Sequence, residues 1–189
     1  KEAIECGFTS VMFDGSRLSL QENIDRTARI AELAHDADIS CEGEIGFVGY
    51  SDGEQSNGTN PSEANMFAKD TKVDAMAISV GNVHLQKHKG SNLDLERIRQ
   101  IEQVTSIPLV IHGGSGVPVE QRSFLSRNSK ICKFNIGTEL RMTFGDTLRK
   151  SIVSHPDQFD RVEILKKTHE PLVQATRKVL NAFKPESEK

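Results

Sequence analysis

The sequence predicts an α/β fold, a (β/α)8 TIM barrel of which this chain holds about the last five βα units. Three observations lead to this prediction. Short apolar segments alternate with helical patterns along the chain, which is typical of parallel strands joined by helices. Turns rich in Gly, Ser and Thr follow the last two strands, where barrels of this class hold phosphate groups. Polar residues cluster at the carboxyl ends of the strands, where such barrels carry their chemistry.

Five segments are predicted to be strands, because each has the length of an ordinary strand and is bounded by turn-forming residues. A parallel sheet of five strands is also compatible with an open, doubly wound domain. The chain opens within a helical pattern and its phosphate-type turns come last, which favours a barrel whose first three βα units are absent from this sequence. The strands are Thr9–Phe13, Ile39–Glu44, Ala75–Val80, Ile107–Ile111 and Ile131–Ile136.

Helical patterns separate and follow these strands. Leu20–His35 has small and apolar residues on one face, and Pro61–Asp70 has the N-cap residue Asn60 directly before it. The other predicted helices are Leu93–Val104, Pro118–Leu125, Glu139–Val153 and Val162–Phe183. We expect residues 1–183 to form the C-terminal two thirds of a single barrel, and residues 184–189 to be a polar tail.

The composition excludes several classes of function. The chain has 189 residues, 36% of them hydrophobic, and a net charge of -3. This balance gives no electrostatic reason to expect nucleic acid or a membrane surface as a partner, and the apolar runs are too short to cross a bilayer. Cys6, Cys41 and Cys132 are widely separated and lie in or beside apolar segments, so we expect buried free thiols and a cytoplasmic location.

Acidic and histidine side chains occur where the predicted strands end. Asp14 and the pair Glu42 and Glu44 end the first two strands, and His84 and His112 follow the third and fourth. Residues two apart on a strand point to the same side, so the two glutamates share a face. Two histidines, a glutamate and an aspartate at one barrel mouth form a ligand set for Zn²⁺ or another divalent cation. Asp14 is equally compatible with an ordinary turn.

The turns after the last two strands are suited to an anion. Glycines leave the backbone N–H groups accessible, hydroxyl groups add donors, and each turn leads into the positive end of a helix. The alternative is a pair of ordinary helix-capping turns. The residues concerned are Gly113, Gly114, Ser115, Asn135, Gly137 and Thr138.

Five segments resemble the class II ketose-bisphosphate aldolases, a family that includes fructose-1,6-bisphosphate and tagatose-1,6-bisphosphate aldolases. They are VMFDGS, EGEIG, VGNVH, LVIHGGSG and KFNIGTELR, and they stand in the family's order. The resemblance extends from Lys1 to Phe183 and implies a (β/α)8 barrel, a divalent metal that is commonly zinc, and a homodimer or homotetramer. It also implies reversible cleavage of a ketose 1,6-bisphosphate to dihydroxyacetone phosphate and an aldehyde phosphate.

The resemblance further implies a role for individual residues. His84 and His112 would be metal ligands, Glu44 the metal-associated glutamate, and Asp14 a ligand at a second or alternative metal position. The segments that would hold dihydroxyacetone phosphate, with a monovalent cation near the phosphate, are Gly113, Gly114 and Ser115 together with Asn135, Ile136, Gly137 and Thr138.

The sequence departs from the family pattern at three places. The family's third histidine ligand and its catalytic aspartate form an Asp-His pair in a segment that would precede Lys1. The loop Phe47–Thr59 carries Asp52 and Glu54 near the position of the family's proton-transfer glutamate, so Asp52 is the candidate catalytic residue. Leu85 follows His84 where the family usually has glycine.

These departures leave other functions open. A non-catalytic aldolase-like subunit, or a degenerate barrel that binds a sugar phosphate without cleaving it, is the main alternative. A metal-dependent isomerase or epimerase on a similar barrel is a third.

Overall fold

The computed structural model describes residues 1–50, 53, 56, 58–85, 90 and 92–183. The strands in this part of the chain are β1 (Ser10–Asp14), β2 (Ser40–Ile45), β3 (Gly49–Tyr50), β4 (Ala75–Ile78), β5 (Val83–His84), β6 (Leu109–Ile111) and β7 (Ile131–Phe134). The α-helices are α1 (Glu2–Glu5), α2 (Leu20–His35), α3 (Pro61–Thr71), α4 (Leu95–Val104), α5 (Val119–Asn128), α6 (Thr138–Ser154) and α7 (Arg161–Asn181), and a 3₁₀ turn spans Gly114–Gly116.

The main sheet is parallel and follows the order of the chain. Its five strands lie in the order β1-β2-β4-β6-β7, and every neighbouring pair is parallel. A doubly wound domain reverses its strand order at a switch point, and this sheet does not. The predicted α/β fold is confirmed, and the sequential order is that of consecutive βα units of a (β/α)8 barrel.

The starts of α2 and α3 agree closely with the sequence patterns because capping side chains mark them. The side chain of Ser19 accepts a hydrogen bond from the N–H of Glu22 at the start of α2. Asn60 does the same for Ser62 at the start of α3, which carries proline in its first turn. Each side chain satisfies a backbone donor that has no partner inside the helix.

The core lies between the sheet and the helices that pack on its outer face. Its buried members include Phe67 of α3, Met76 of β4, Ile98 of α4 and Leu109 of β6, each at most 1% exposed. Each large apolar side chain removed from water contributes about 1.5–3 kcal/mol to folding. Burial of the amphipathic helices therefore holds the strands in place.

The packing of β2 decides where its glutamates point. A Cβ on Gly43 would lie 2.8 Å from the ring of Phe67 and 2.9 Å from the methyl group of Thr27, so this side of β2 is pressed against α2 and α3. Because strand residues alternate, Glu42 and Glu44 point to the opposite face of the sheet. In a (β/α)8 barrel, the face opposite the helices is the interior side.

The end of β4 and the position of His84 differ from the prediction. The sequence pattern extends the third strand to Val80, but β4 ends at Ile78, and the N–H of Val80 donates to Oδ1 of Asn82. The chain then forms a short parallel pair, β3 with β5, in which Tyr50 is in register with His84. His84 therefore lies on a separate small sheet, which apolar periodicity could not reveal in a segment of two residues.

Two of the three cysteines are exposed, contrary to the prediction. Cys41 is buried in β2, whereas Cys6 and Cys132 are exposed, and all three are free thiols. Cys132 lies on β7, an edge strand of the main sheet on which the next residue, Lys133, is exposed as well. An apolar neighbourhood in the sequence does not bury this residue, because no further strand of the described residues packs beside β7.

No helix in the described part of the chain is both long and apolar enough to span a membrane. Residues 184–189, predicted to be a polar tail, lie outside the described residues.

Candidate active site

His112 is the centre of a buried group of charged side chains at the carboxyl ends of the strands. Its Nδ1 lies 3.0 Å from Oε2 of Glu44, and its Nε2 lies 2.9 Å from Oε1 of Glu42. The other carboxylate oxygen of Glu42 accepts a hydrogen bond of 2.6 Å from Nζ of Lys133. The His112, Glu42 and Glu44 side chains are each at most 7% exposed, so they are stabilised by pairing and not by hydration.

This pairing decides the protonation of the group. Burial disfavours the imidazolium, but hydrogen bonds to Glu42 and Glu44 outweigh it and raise the pKa of His112 to about 9. Burial also opposes ionisation of Glu42, yet the hydrogen bonds from His112 and Lys133 hold the pKa of that carboxyl below its usual value. Without a metal ion, a charged imidazole thus bridges two carboxylates.

His84 lies next to His112, although His84 belongs to the small sheet and His112 directly follows β6 of the main sheet. The centroids of their imidazole rings are 6.1 Å apart. Burial lowers the pKa of His84 below its usual value, even though the nearby charge of Glu44 acts in the opposite direction. His84 is therefore a neutral imidazole at pH 7, the form that binds metal ions.

Glu44, His84 and His112 together form a possible metal site. One ligand atom from each residue lies within 4.8 Å of the other two. Ligand atoms bound to one zinc ion at about 2.1 Å are about 3.4 Å apart in a tetrahedral site, so small side-chain rotations would bring the three atoms to one ion. Imidazole nitrogen and carboxylate oxygen are donors that suit zinc and related divalent ions. The residues present therefore fit such an ion.

Asp14 lies beside this group without joining it. It is in register with Glu44 across β1 and β2. Its Oδ1 accepts hydrogen bonds from the backbone N–H and the hydroxyl of Ser16, at 3.0 and 2.7 Å. This is the turn that the sequence also allowed. A role for Asp14 in metal binding stays a prediction.

Asn82 connects the two histidine-bearing loops, and the sequence reasoning assigned it no role. Its amide nitrogen donates to the carbonyl oxygens of His112 at 3.0 Å and of Ile78 at 3.2 Å, and the residue is 1% exposed. The amide group thus links the end of β4 to the residue that follows β6 through buried backbone acceptors. Its position in the VGNVH motif, between β4 and His84, is the sequence feature that could have indicated this role.

A cavity of about 670 Å³ lies at the carboxyl ends of β6 and β7, and His84 is one of the residues that line it. Of the seven residues predicted to hold a phosphate, Gly114 does not line it. The N–H of Gly114 donates to the carbonyl oxygen of Asn135, so this glycine joins the two loops instead. The six that do line the cavity are Gly113, Ser115, Asn135, Ile136, Gly137 and Thr138.

Ser115 joins the same two loops through its side chain. Its hydroxyl oxygen accepts hydrogen bonds from the N–H groups of Gly137 at 3.2 Å and Glu139 at 3.3 Å. It therefore caps α6 from a different loop, which Gly137, without a side chain, cannot do itself. A hydroxyl that accepts two hydrogen bonds still has its own hydrogen to donate, and this hydrogen is available to an anion.

Two cationic side chains that were not predicted from the sequence also line the cavity. Lys133 lies on β7, and Arg141 lies one turn into α6. The guanidinium of Arg141 reaches back over the loop, because a Cβ on Gly137 would lie 3.2 Å from its Nη2. Residues three apart share a helix face, so the spacing between Thr138 and Arg141 could have predicted that Arg141 lies at the same cavity.

Beneath the cavity, Arg122 of α5 pairs with Glu139 of α6. Their side chains are 2.8 Å apart, and that of Arg122 is only 1% exposed. Nε of Arg122 is buried without a hydrogen-bond partner in the described part of the chain. This buried pair holds the first turn of α6 against α5, and so keeps the loop before α6 in place.

The backbone at Leu85 has the conformation that glycine would favour. Its φ is 56°, in the left-handed region, and its side chain lines the cavity. Leu85 therefore has a backbone conformation that is strained for a residue with a side chain, at the position where the resemblance implies glycine. Asp52, the predicted catalytic residue, and its neighbour Glu54 lie outside the described residues.

Comparisons with known proteins show which proteins this chain resembles. The family model described as fructose-bisphosphate aldolase class-II matches residues 1–188. A sulfofructosephosphate aldolase of Alkalicoccus urumqiensis is 33% identical over 98% of this chain and 67% of its own length. A 6-phospho-5-dehydro-2-deoxy-D-gluconate aldolase of Shouchella clausii strain KSM-K16 is 39% identical over 85% of this chain and 55% of its own length.

Solved structures show the same fold. The YdjI aldolase of Escherichia coli K12 superimposes with a TM-score of 0.75 and 26% identity, over 98% of this chain and 64% of that one. The fructose-bisphosphate aldolase of Campylobacter jejuni gives a TM-score of 0.73 and 22% identity, over 93% and 59%. This chain thus spans between 55% and 67% of the length of the relatives named here. It belongs to the class-II fructose-bisphosphate aldolase family.

Proposed function

We propose that this chain carries most of the active site of a metal-dependent aldolase. The reaction is the reversible cleavage of a ketose 1,6-bisphosphate to dihydroxyacetone phosphate and an aldehyde phosphate. One observation carries the proposal: the possible metal site of Glu44, His84 and His112 adjoins a cavity whose wall is formed by the two glycine-rich loops. A metal site and a phosphate site side by side are what a phosphorylated ketose requires.

The loops would bind the phosphate of the triose half. The hydroxyls of Ser115 and Thr138 are donors at the cavity, and the N–H of Thr138 begins α6 with no intrahelical acceptor. The cation of Arg141 at the same cavity adds a favourable charge. Anchoring the phosphate would orient the carbon skeleton toward the histidines and restrict its motion.

Glu44, His84 and His112 would hold the divalent cation, with Asp14 as a ligand at an alternative position. When bound, such a cation supplies Lewis-acid chemistry, which lowers the cost of negative charge on a ketone oxygen. The neutral state of His84 suits binding of the cation. We propose Asp52 as the residue that transfers a proton in the reaction. We also propose a monovalent cation near the phosphate, as the family resemblance implies.

Several phosphorylated sugars are candidates for the substrate. The curated relatives are named for a sulfofructose phosphate and for a phosphorylated dehydrodeoxygluconate. These names and the family description share a phosphorylated sugar and an aldol bond, so the two compounds are the second candidates after fructose and tagatose bisphosphates.

The test is to incubate the zinc-loaded protein with each candidate sugar and follow substrate loss and triose phosphate formation by ³¹P NMR. We expect one of these compounds to be cleaved, and His112→Ala or a chelator to abolish the cleavage. Failure to cleave any phosphorylated ketose, with metal and dihydroxyacetone phosphate both bound, would instead support the non-catalytic sugar phosphate-binding relative. A protein that binds neither would contradict both functions.

We propose that the protein assembles as a homodimer or homotetramer in the cytoplasm. No residue of α6 is fully buried in the single chain, and Met142, Ile152 and Val153 expose much of their apolar surface on this helix. A second subunit packed on such a surface would remove it from water. Light scattering coupled to gel filtration should then give a mass that is a multiple of 20.9 kDa for this chain.

A further inference from the structure

Glu42 contacts the possible metal site without belonging to it. It lies two residues before Glu44 on the same face of β2, and each of these glutamates contacts a different nitrogen of His112. Nδ1 faces Glu44, which is in the proposed ligand group, whereas Nε2 faces Glu42, which is not. The imidazole is thus held from both sides, and its two nitrogens are in different environments.

Lys133 fixes the orientation of Glu42. The ammonium is 2.6 Å from Oε2 of Glu42, while Oε1 contacts His112, so both carboxylate oxygens are occupied by cationic or N–H donors. Glu42 is 7% exposed, and a buried carboxylate is stable only when its oxygens are paired in this way. The three side chains therefore form one continuous chain of hydrogen bonds across β7, β2 and the end of β6.

We propose that Glu42, held by Lys133, is a positioning residue that keeps the proton of His112 on Nε2 and presents Nδ1 to the metal. The inference rests on the proposed function, because it requires His112 to be a ligand. A neutral imidazole has one protonated nitrogen, and a carboxylate accepts that hydrogen more strongly than any neutral group. With Nε2–H donated to Glu42, the proton that His112 loses when the metal binds is the one on Nδ1, the nitrogen on the side of Glu44.

The side-chain length at position 42 is part of the inference. The carboxyl group of Glu42 must contact Lys133 on one side and His112 on the other. Aspartate is one methylene shorter and would not reach both. Carboxylates that accept from the outer nitrogen of a metal-bound histidine typically change metal affinity 10- to 100-fold when removed.

The experiment measures zinc affinity of the metal-free protein by titration against a competing chelator, for wild type, Glu42→Ala, Glu42→Gln and Lys133→Met. We expect Glu42→Ala to weaken zinc binding about 10- to 100-fold. Glu42→Gln keeps an oxygen that accepts from Nε2, so we expect a smaller loss. Lys133→Met leaves the carboxylate but frees its orientation, and we expect an intermediate loss.

The matched control is Asp74→Asn, which breaks a second carboxylate–histidine pair in the same protein. Asp74 accepts hydrogen bonds from Nε2 of His35 at 3.0 Å and from the N–H of Cys41 at 2.7 Å, before β4 begins. It is not in the possible metal site, so Asp74→Asn should leave zinc affinity unchanged. Circular dichroism of each variant checks that it is folded. If Glu42→Ala does not fold, the zinc affinity of Glu42→Gln tests the inference in its place.

A readout independent of affinity is the tautomer of His112. In ¹⁵N NMR of the zinc-loaded wild type, Nε2 of His112 should carry hydrogen, and Glu42→Gln should retain this signal. Glu42→Ala should lose or exchange it. The inference is overturned if wild type binds zinc and both folded variants, Glu42→Ala and Glu42→Gln, bind it as tightly as wild type with the same tautomer of His112. If wild type itself binds no zinc, the proposed function fails, and the inference fails with it.

Discussion

The α-carbon of Gly113 lies directly against the carbonyl of Val83. A Cβ at position 113 would be only 2.4 Å from that carbonyl oxygen, and φ of Gly113 is +65°, so both space and backbone conformation exclude a side chain. Gly113 follows His112, and Val83 precedes His84. This close approach of two backbones therefore sets the distance between the two imidazoles.

The first prediction follows from this contact. Gly113→Ala should lower the free energy of unfolding by about 1–3 kcal/mol and weaken zinc binding, because the backbone must move or adopt a strained φ. Chemical denaturation and metal titration measure the two effects. Gly145→Ala is the control: it lies inside α6, where the nearest atoms are 3.4 Å away on Arg149, and it should raise stability by about 0.5–1 kcal/mol. Equal effects of the two substitutions would contradict the close-contact interpretation.

A second prediction concerns the strained backbone at Leu85. Leu85→Gly should leave the free energy of unfolding unchanged or raise it by up to about 1 kcal/mol, because relief of the left-handed strain offsets the greater flexibility of glycine. Leu85→Val should lower it by about 1 kcal/mol or more, since a β-branched residue tolerates positive φ poorly. Thermal and urea unfolding of the two variants measure this difference. A valine variant as stable as the glycine variant would show that position 85 does not adopt this conformation.

The third prediction is a pH dependence of the metal-free protein. The folded state raises the pKa of His112 from 6.5 to about 9, so it binds more protons than the unfolded state between these values. The resulting stability is fully present below about pH 6.5 and is lost as pH rises toward 9, with a slope of at most about 1.4 kcal/mol per pH unit.

Urea unfolding with a chelator present, between about pH 6.5 and 8.5, should show this decline. The pH range of the measurement ends at about 8.5 because of Cys41. Burial raises the pKa of this thiol to about 11, so its ionisation causes a separate loss of stability at higher pH. His112→Gln should flatten the decline. A wild-type stability that is constant or rising over this interval would show that His112 is not held as the imidazolium.

The fourth prediction concerns the anion-binding loops. Thr138→Ala and Ser115→Ala together should weaken binding of dihydroxyacetone phosphate at least about 10-fold, since each removes a hydroxyl donor to a charged group. Calorimetry measures the affinity. Ser115→Ala also removes the acceptor of two backbone N–H groups, so it should lower stability by about 1–2 kcal/mol, whereas Thr138→Ala should not. Unchanged affinity in the folded double variant would place the phosphate elsewhere.

The fifth prediction is that Arg141 contributes its charge to the same cavity. Arg141→Met should weaken phosphate binding about 5- to 10-fold and reduce its dependence on salt concentration, because a cation near the anion is removed. Arg149→Met is the matched control, since Arg149 lies on the same helix and pairs with Asp146 at the surface. Titration with inorganic phosphate at two salt concentrations separates the variants. Similar losses in both would indicate a general effect of charge.

Local patterns in the sequence determined the main elements and much of the site. The alternation of apolar and amphipathic segments predicted the parallel α/β sheet, and capping residues such as Ser19 and Asn60 marked the helix starts. Positions at strand ends singled out Glu44, His84 and His112, which the structure brings together. These features depend on residues close in sequence, and periodicity and capping follow local rules. The roles of these residues in metal and phosphate binding, and the single-barrel domain, stay predictions.

Only the tertiary structure decided how these residues contact one another. Glu42 meets Lys133 across 91 residues of sequence, and the hydroxyl of Ser115 caps a helix that begins in another loop. The small sheet of β3 and β5, and the left-handed backbone at Leu85, also left no periodic signal. Such contacts depend on the register between strands and on packing between distant segments. The sequence therefore indicated that Glu44, His84 and His112 lie at the site, and the fold determined which nitrogen of His112 faces which carboxylate.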